Sequence, residues 1–266
     1  MTQRQAGPLR FGAGLGTEPA KGFTLSALLQ ACPGTLPGLR DAALLSLAYD
    51  TGLRVSELVR VTCDYVAVQS DGSAVLTVPR SRTDQEGQGA YAWLSPDTMR
   101  RVAAWRNASA ILDGPLFRRI GVVRTKAREA APPRSLPAPP GFRWRLPAGA
   151  KVPTESKPVL ASTTYVIGEA PLTPAAVRLI IKRTAMRAAD EHLINLVGKE
   201  LDAAIAALST HLLRVGLTQD QFASGEDAGP IAQALRWTST STALRYGRKL
   251  PPASNATARM LREVRK

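Results

Sequence analysis

Hydrophobic residues recur at helical spacing between about residues 24 and 61. Apolar side chains fall at every third position from Leu39 to Ala48, which is typical of one face of a helix. Gly52 follows where a left-handed C-terminal cap would end that helix. We expect an earlier helix to begin near Thr24 and a short helix to follow over Val55–Val61.

Beyond this region the period of the hydrophobic pattern changes from helical to alternating. The segments DYVAVQ and SAVLTVP flank Asp71-Gly72, a dipeptide that favours the positive φ of a hairpin turn. A polar, glycine-rich stretch runs from Arg80 to Gly89, and the segment AYAWL over residues 90–94 then fits a third strand. These patterns predict a small three-stranded antiparallel sheet.

Helical patterns return after the sheet. Ser95 and Pro96 form a helix start, with proline at the first helical position, and that helix should run to about Leu112. Thr173-Pro174 opens an amphipathic helix that should end near Ala189. Further helices are predicted at 198–208, 211–223, 229–236 and 240–247, and the tail 255–266 is compatible with a helix. The predicted fold class is therefore α+β, mainly α, with a helical domain that carries the small antiparallel sheet.

The charge balance indicates the kind of partner. Lys and Arg number 35 against 21 Asp and Glu, a formal net charge of +14, which favours a polyanion, nucleic acid first and an anionic membrane surface second. No apolar run is long enough for a transmembrane helix and the N-terminus has no apolar signal core, so we expect a cytoplasmic protein with no membrane partner. Two cysteines and two histidines cannot build a cysteine-rich zinc site or a disulfide scaffold, and we expect neither metal nor cofactor.

Two segments differ in composition from the rest of the chain. Residues 1–22 are glycine-rich, basic and without periodicity, so we expect a flexible linker or arm there and one domain over 23–266. Residues 124–158 hold eight prolines and eight Lys or Arg against two Glu. Such a composition cannot bury much apolar surface. This insertion is either a solvated extended loop or an arm that tracks DNA.

Several residues could carry chemistry, but each also has an ordinary structural explanation. Arg54 lies at a helix junction, where an arginine often serves as a cap or a surface charge. His211 and Arg214 are three residues apart and share one helical face, where a histidine is commonly satisfied within the core. Trp237 and Tyr246 would ordinarily be packing residues. No one of these residues identifies a function alone.

Taken together and in order, these residues resemble a known family. Their segments are TGLRVSEL, RSRTDQEGQG after a strand, HLLRVG at a helix start and QALRWTSTSTALRYGR. They resemble the catalytic domain of the tyrosine recombinases, the phage-integrase family, over about residues 23–250 apart from the insertion. The resemblance implies site-specific DNA recombination, by integration or excision of a mobile element, in an enzyme of bacterial, phage or plasmid origin.

The resemblance also implies a role for each residue. Tyr246 would be the nucleophile that attacks the phosphorus, forms a 3′-phosphotyrosyl bond and releases a 5′-hydroxyl. Arg54 and Arg214 would hold the non-bridging phosphate oxygens, which two fork-shaped guanidiniums suit better than ammonium groups. His211 and Trp237 would add hydrogen bonds at the phosphate, and His211 could assist proton transfer from Tyr246.

Of two further positions, one matches the family's pattern and one departs from it. Glu57 matches the acidic residue that orients the first arginine, but Arg82 stands where the family usually has a lysine that protonates the departing 5′-oxygen. Because an arginine stays charged in proteins, two alternatives follow. Either Arg82 stabilises the leaving oxygen while water or His211 supplies the proton, or it marks a slow or inactive enzyme. Only 22 residues precede the region of resemblance, so we expect the chain to lack the family's N-terminal core-binding domain.

The expected DNA contacts and assembly follow from the same resemblance. The helix from Pro174 corresponds to the family's major-groove helix, so Arg178 and Lys182 are candidate contacts to double-stranded DNA, with an ordinary solvated face as the alternative. Basic residues also cluster from Arg236 onward. The tail beyond Tyr246 docks either on a neighbouring subunit or on its own chain. We expect a homotetramer on two duplexes and a monomer free in solution.

Other functions compete with recombination. A type IB topoisomerase shares this active-site logic but only swivels and reseals one strand. A DNA-binding relative with weak catalysis is the reading that Arg82 and the expected lack of an N-terminal domain favour. A metal-dependent nuclease is disfavoured because Asp and Glu residues do not cluster at ligand spacing.

Overall fold

The computed structural model describes residues 22–78, 89–130, 140–141, 157–247 and 256–264. The chain falls into two compact units, one formed by residues up to Arg119 together with those from Glu169 onward, the other by Ile120–Gly168. The helices are α1 (Leu25–Gln30), α2 (Leu36–Thr51), α3 (Val55–Leu58), α4 (Pro96–Ser109), α5 (Pro174–Asp190), α6 (Gly198–Ala207), α7 (His211–Ser224), α8 (Ala228–Ala234), α9 (Thr240–Gly247) and α10 (Ala256–Val264). The strands are β1 (Val66–Val68), β2 (Ala74–Val78), β3 (Ala90–Leu94), β4 (Arg118–Thr125) and β5 (Ser162–Pro171). The fold class is α+β, mainly α, as the sequence predicts.

Helix α2 is the centre of the larger unit. Most of its residues are buried, and it packs against α4, α7 and β3. Gly52 ends it in the left-handed conformation, with φ +54°, as expected of a C-terminal cap. A Cβ at this position would lie 2.4 Å from Cδ2 of Leu235, so the glycine also allows α8 to approach closely.

Helix α4 begins and ends with recognisable caps. The Ser95 hydroxyl accepts a hydrogen bond from the Thr98 N–H at 3.2 Å, which satisfies a first-turn donor. The helix ends at Ser109, earlier than the predicted Leu112, because Ala110 turns into the left-handed conformation. On its inner face Trp105 is completely buried, and its indole N–H donates to the Leu116 carbonyl at 2.8 Å.

The predicted three-stranded sheet is confirmed. Strands β1, β2 and β3 pair in that order, antiparallel, with Val66 opposite Leu76 and Ala74 opposite Leu94. In the β1–β2 turn the Asp71 carboxylate accepts from the backbone N–H of Ser73 at 2.9 Å. Beyond β2, residues 79–88 lie outside the described part of the chain.

A second sheet was not predicted. Strands β4 and β5 pair with each other, and an antiparallel bridge joins Arg128 and Val159 beyond them. Most side chains of both strands are exposed, so neither strand has the alternation that reveals a half-buried strand. Between these strands residues 131–139 and 142–156 lie outside the described residues, and the choice between loop and arm stays a prediction.

The C-terminal helices match their predicted positions to within about two residues. Helix α5 begins where the Thr173 hydroxyl accepts from the Ala176 N–H at 3.2 Å, and Val177, Ile180 and Ile181 face the core as expected. Helices α7, α8 and α9 enclose an apolar cluster. Its buried members are Ile231, Leu235 and Ala243, with Leu217, Phe222, Ala228 and Trp237 packed against them. This cluster fixes α9 against the end of α8.

Candidate active site

The segment from Arg54 to Glu57 forms a rigid charged start to α3. The Arg54 N–H donates to one Glu57 carboxylate oxygen at 2.9 Å, and its Nη1 donates to the other at 3.0 Å. The first contact is one half of a capping box, which requires an acidic side chain three residues after the cap. Glu57 is only 4% exposed, whereas the Arg54 side chain is 41% exposed. The carboxylate therefore holds a guanidinium whose outer edge stays accessible.

Helix α7 presents His211 and Arg214 one turn apart, as their spacing predicts. Arg214 is buried, and its Nη2 donates to the Leu235 carbonyl. Its guanidinium carbon lies 4.9 Å from the centroid of the Trp237 ring, a cation–π distance. Among the described residues its Nη1 has no hydrogen-bond partner. Burial, followed by repulsion from Arg54, lowers the pKa of Arg214 to about 10, which leaves it charged at neutral pH.

Tyr246, near the end of α9, lies beside His211 and Trp237. Its hydroxyl is 3.0 Å from Nε2 of His211, and its ring stacks on Trp237 with centroids 5.3 Å apart and planes 9° apart. Burial and the charges of Arg214 and Arg54 lower the pKa of His211, which favours the neutral ring. A neutral imidazole protonated on Nδ1 accepts the Tyr246 proton at Nε2.

Arg236 belongs to the same cluster, although sequence reasoning counted it only within a basic tail. It has φ +56° and follows α8, where the Trp237 N–H donates to the Ala232 carbonyl at 2.8 Å. This is the Schellman arrangement that usually takes glycine at the position of Arg236. Its side chain is 15% exposed, and Nη2 lies 3.5 Å from Oε2 of Glu57. The sequence offered one signal for Arg236: no glycine stands between α8 and Trp237, where a helix end of this kind usually has one.

The electrostatic sum of the cluster is positive. Arg54, Arg214 and Arg236 supply three guanidiniums, and Glu57 is the carboxylate that contacts two of them. Burial lowers the pKa of both Arg214 and Arg236, and Arg54 lowers each pKa further. Mutual repulsion of this kind is relieved by a bound anion. The geometry therefore provides an anion site next to a tyrosine hydroxyl.

The remaining predicted site residues lie elsewhere or outside the described chain. Arg82 falls in the stretch 79–88, outside the described residues. Arg178 is exposed and Lys182 half-buried on α5, and neither takes part in the hydrogen bonds and ion pairs that join the cluster. Within the described ranges, no group of three His, Cys, Asp or Glu side chains could hold a metal ion, and no helix there is long and apolar enough to cross a membrane.

Comparison with known proteins places this geometry in context. The recombinase Cre of Escherichia phage P1 is 23% identical over 231 residues, which cover 85% of this chain and 54% of Cre. The XerA recombinase structure superposes with a TM-score of 0.58 at 14% identity, covering 99% of this chain and 67% of that one. The XerH site-specific recombinase, bound to its palindromic difH substrate after cleavage, gives 0.52 at 12% identity over 90% and 50% of the two chains. No family model matches the chain.

The fold is that of the site-specific recombinases, with the arginines, histidine, tryptophan and tyrosine gathered at one place in the larger unit. The chain is similar in sequence to the recombinase Cre and similar in fold to the XerA and XerH recombinases. It spans about half the length of the curated relative that it matches.

Proposed function

We propose that this chain is the catalytic part of a site-specific DNA recombinase that cuts and rejoins strands through a 3′-phosphotyrosyl bond, without a metal. The observation that carries the proposal is the position of Tyr246. Its hydroxyl lies 3.0 Å from Nε2 of His211. Its ring stacks on Trp237, and the guanidinium of Arg214 lies over the same indole ring. A nucleophile, a proton acceptor and an anion site therefore lie together, on α7, α9, the turn after α8 and the start of α3.

The reaction uses these groups in a defined order. The Tyr246 oxygen attacks the phosphorus while its proton passes to Nε2 of His211, and the bond from phosphorus to the 5′-oxygen breaks. Arg54 and Arg214 hold the non-bridging oxygens, on which charge gathers in the transition state. Donors preorganised in this way typically lower a barrier by about 3–4 kcal/mol each. Attack by a 5′-hydroxyl on the phosphotyrosine reverses these steps and reseals the strand.

The departing 5′-oxygen needs a proton, and by resemblance Arg82 stands at the position where the family usually has a lysine that donates it. A lysine whose pKa is lowered by burial can give up a proton, whereas an arginine remains charged. In this chain Arg82 would stabilise the leaving oxygen by its charge, and water or His211 would supply the proton. A relative that binds DNA but cleaves it slowly is the second candidate, and the identity of this one residue favours it.

The partner is double-stranded DNA. The net charge of +14 supports a polyanionic ligand, and the XerH structure with which the chain superposes contains that protein's difH substrate. Arg178 and Lys182 on α5 are the proposed groove or phosphate contacts. We further propose that the chain is a monomer in solution and a homotetramer on two duplexes, that it acts in the cytoplasm, and that residues 23–266 form the catalytic domain, with 1–22 as a linker.

Covalent capture tests the proposal without knowledge of the target site. The chain is incubated with a pool of nicked, partly single-stranded DNA and denatured, and a protein–DNA adduct is detected by its mass. The adduct should form with the parent chain, disappear in Tyr246→Phe and persist in Tyr91→Phe, a matched control because Tyr91 is 70% exposed on β3. Sequencing of the trapped DNA then identifies the site.

The Arg82→Lys variant separates the two candidates. An adduct from this variant but none from the parent chain would show that the proton donor is missing, in favour of the slow relative. An adduct that survives in Tyr246→Phe would contradict the assignment of the nucleophile. The absence of any adduct from the parent chain and from Arg82→Lys would refute strand cleavage by this chain.

A further inference from the structure

Arg236 occupies a backbone position that disfavours it. It takes the left-handed conformation, with φ +56°, after α8, where the Arg236 N–H donates to the Gln233 carbonyl at 3.0 Å. Glycine is usual at this point of a helix end because any other side chain crowds its own carbonyl. The helix end would therefore form more easily with glycine than with arginine.

The side chain of Arg236 adds a second cost. Its guanidinium is directed into the protein rather than into water, its side chain is 15% exposed, and neither terminal nitrogen makes a hydrogen bond among the described residues. The contact with Glu57 is an ion pair at 3.5 Å, longer than a good hydrogen bond. Burial of a charge with such incomplete pairing does not favour folding. Strain of this kind, seen together with burial, points to a role in a site.

The location of the guanidinium shows which role. Glu57 accepts from Arg54 through both carboxylate oxygens, and a single carboxylate would neutralise most of the charge that Arg54 offers to an anion. Arg236 lies on the Oε2 side of the same carboxylate. Its charge offsets that of Glu57, so the exposed edge of Arg54 keeps its attraction for an anion.

Resting on the proposed function, we propose that Arg236 is a positioning residue of the phosphate site. Through Glu57 it holds Arg54 in place, and it adds a third guanidinium to the field that Arg54 and Arg214 exert on the phosphate. Its ligand class is the phosphodiester of DNA, for which inorganic phosphate is the simplest probe.

Three variants of the full chain test this role. Arg236→Gly removes the guanidinium and supplies the residue that the backbone prefers. Arg236→Lys keeps a charge but not the fork. Ala110→Gly is the matched control, since Ala110 also ends a helix in the left-handed conformation, with φ +53°, outside the cluster. Calorimetric titration with inorganic phosphate, the melting temperature and the rate of adduct formation at saturating DNA are measured for each.

Neither Arg236→Gly nor Ala110→Gly should melt at a lower temperature than the parent chain. In Arg236→Gly the dissociation constant for phosphate should rise about tenfold, because one nearby positive charge is lost. Arg236→Lys should recover part of that affinity, and Ala110→Gly should bind as the parent does. Unchanged phosphate affinity in Arg236→Gly, or no phosphate binding by the parent chain, would overturn the proposal. Because phosphate binding does not require cleavage, a tenfold loss of affinity without any Tyr246 adduct would reject the proposed function and retain the role of Arg236.

Discussion

The carboxylate of Glu57 provides a direct test of how burial determines the contribution of an ion pair to the free energy of unfolding. Glu57 contacts Arg54 at 3.0 Å and Arg236 at 3.5 Å, and it is 4% exposed. Asp97, in the first turn of α4, also contacts two arginines, Arg100 at 2.7 Å and Arg101 at 3.2 Å, but it is 52% exposed. Distance alone predicts that the Asp97 ion pairs stabilise the fold more than the Glu57 ion pairs do. Burial predicts that the Glu57 pairs stabilise it more.

The expected magnitudes differ clearly. Glu57→Gln keeps the shape of the side chain and an acceptor for the Arg54 N–H, but it leaves the guanidinium of Arg236 buried without a countercharge. Removal of one partner of a buried pair costs about 3–5 kcal/mol. Because the Arg54 side chain is 41% exposed, water screens part of the loss, and we expect about 2–4 kcal/mol. Asp97→Asn should cost less than about 1 kcal/mol, as exposed pairs do.

Chemical denaturation of the two variants, monitored by tryptophan fluorescence and far-ultraviolet circular dichroism, measures both changes in the free energy of unfolding. For a protein of this size the Glu57→Gln variant should melt on the order of 10 °C lower. Coincident transitions from the two probes are the control for two-state unfolding. Equal losses in the two variants, or a larger loss at Asp97, would refute the argument that burial outweighs distance.

Three further outcomes follow from the structure. Gly52→Ala should destabilise the fold by more than about 1 kcal/mol, because φ is +54° and a Cβ would lie 2.4 Å from a side-chain carbon. Gly34→Ala, with open space around it, is the control, and equal thermal shifts in the two variants would contradict this. Burial raises the pKa of Cys32 to about 12, so iodoacetamide at pH 8 should alkylate it roughly 10³-fold more slowly than a free thiol, as mass spectrometry before and after denaturation can show. The pKa of His211 lies below its ordinary value of 6.5, so its contribution to the free energy of unfolding should be complete above pH 6.5 and decline as the pH falls below that value. His211→Gln should remove this decline in a denaturation series, and an unchanged slope would count against the lowered pKa.

The helices and the first sheet were predictable because local signals and tertiary packing agree there. Thr173 and Ser95 cap their helices through their own hydroxyls, and Gly52 takes the conformation that its position requires. Strands β4 and β5 were missed for the opposite reason. Their side chains are exposed along most of their length, so the pairing of their backbones leaves no hydrophobic period in the sequence.

The candidate site likewise contains residues that could be predicted from the sequence and one that could not. His211 and Arg214 lie three residues apart, so this pair could be placed on one helical face from spacing alone, whereas the pairing of Glu57 with Arg54 was predicted from the resemblance. The 3.0 Å contact between His211 and Tyr246 also fits the roles that the resemblance assigns. Arg236 could not be found in this way, because a helix end after α8 predicts glycine there.

The position of Arg236 depends on tertiary structure that no local pattern contains. Its guanidinium reaches Glu57 only because the apolar cluster of α7, α8 and α9 places the end of α8 beside α3. Local preference and tertiary location therefore conflict at this residue, and such a conflict persists only where the surrounding structure enforces it. Arg236 costs stability in its backbone and in its burial, and it lies beside Glu57 and Arg54, so the phosphate-site role proposed for it accounts for a residue that folding alone does not favour.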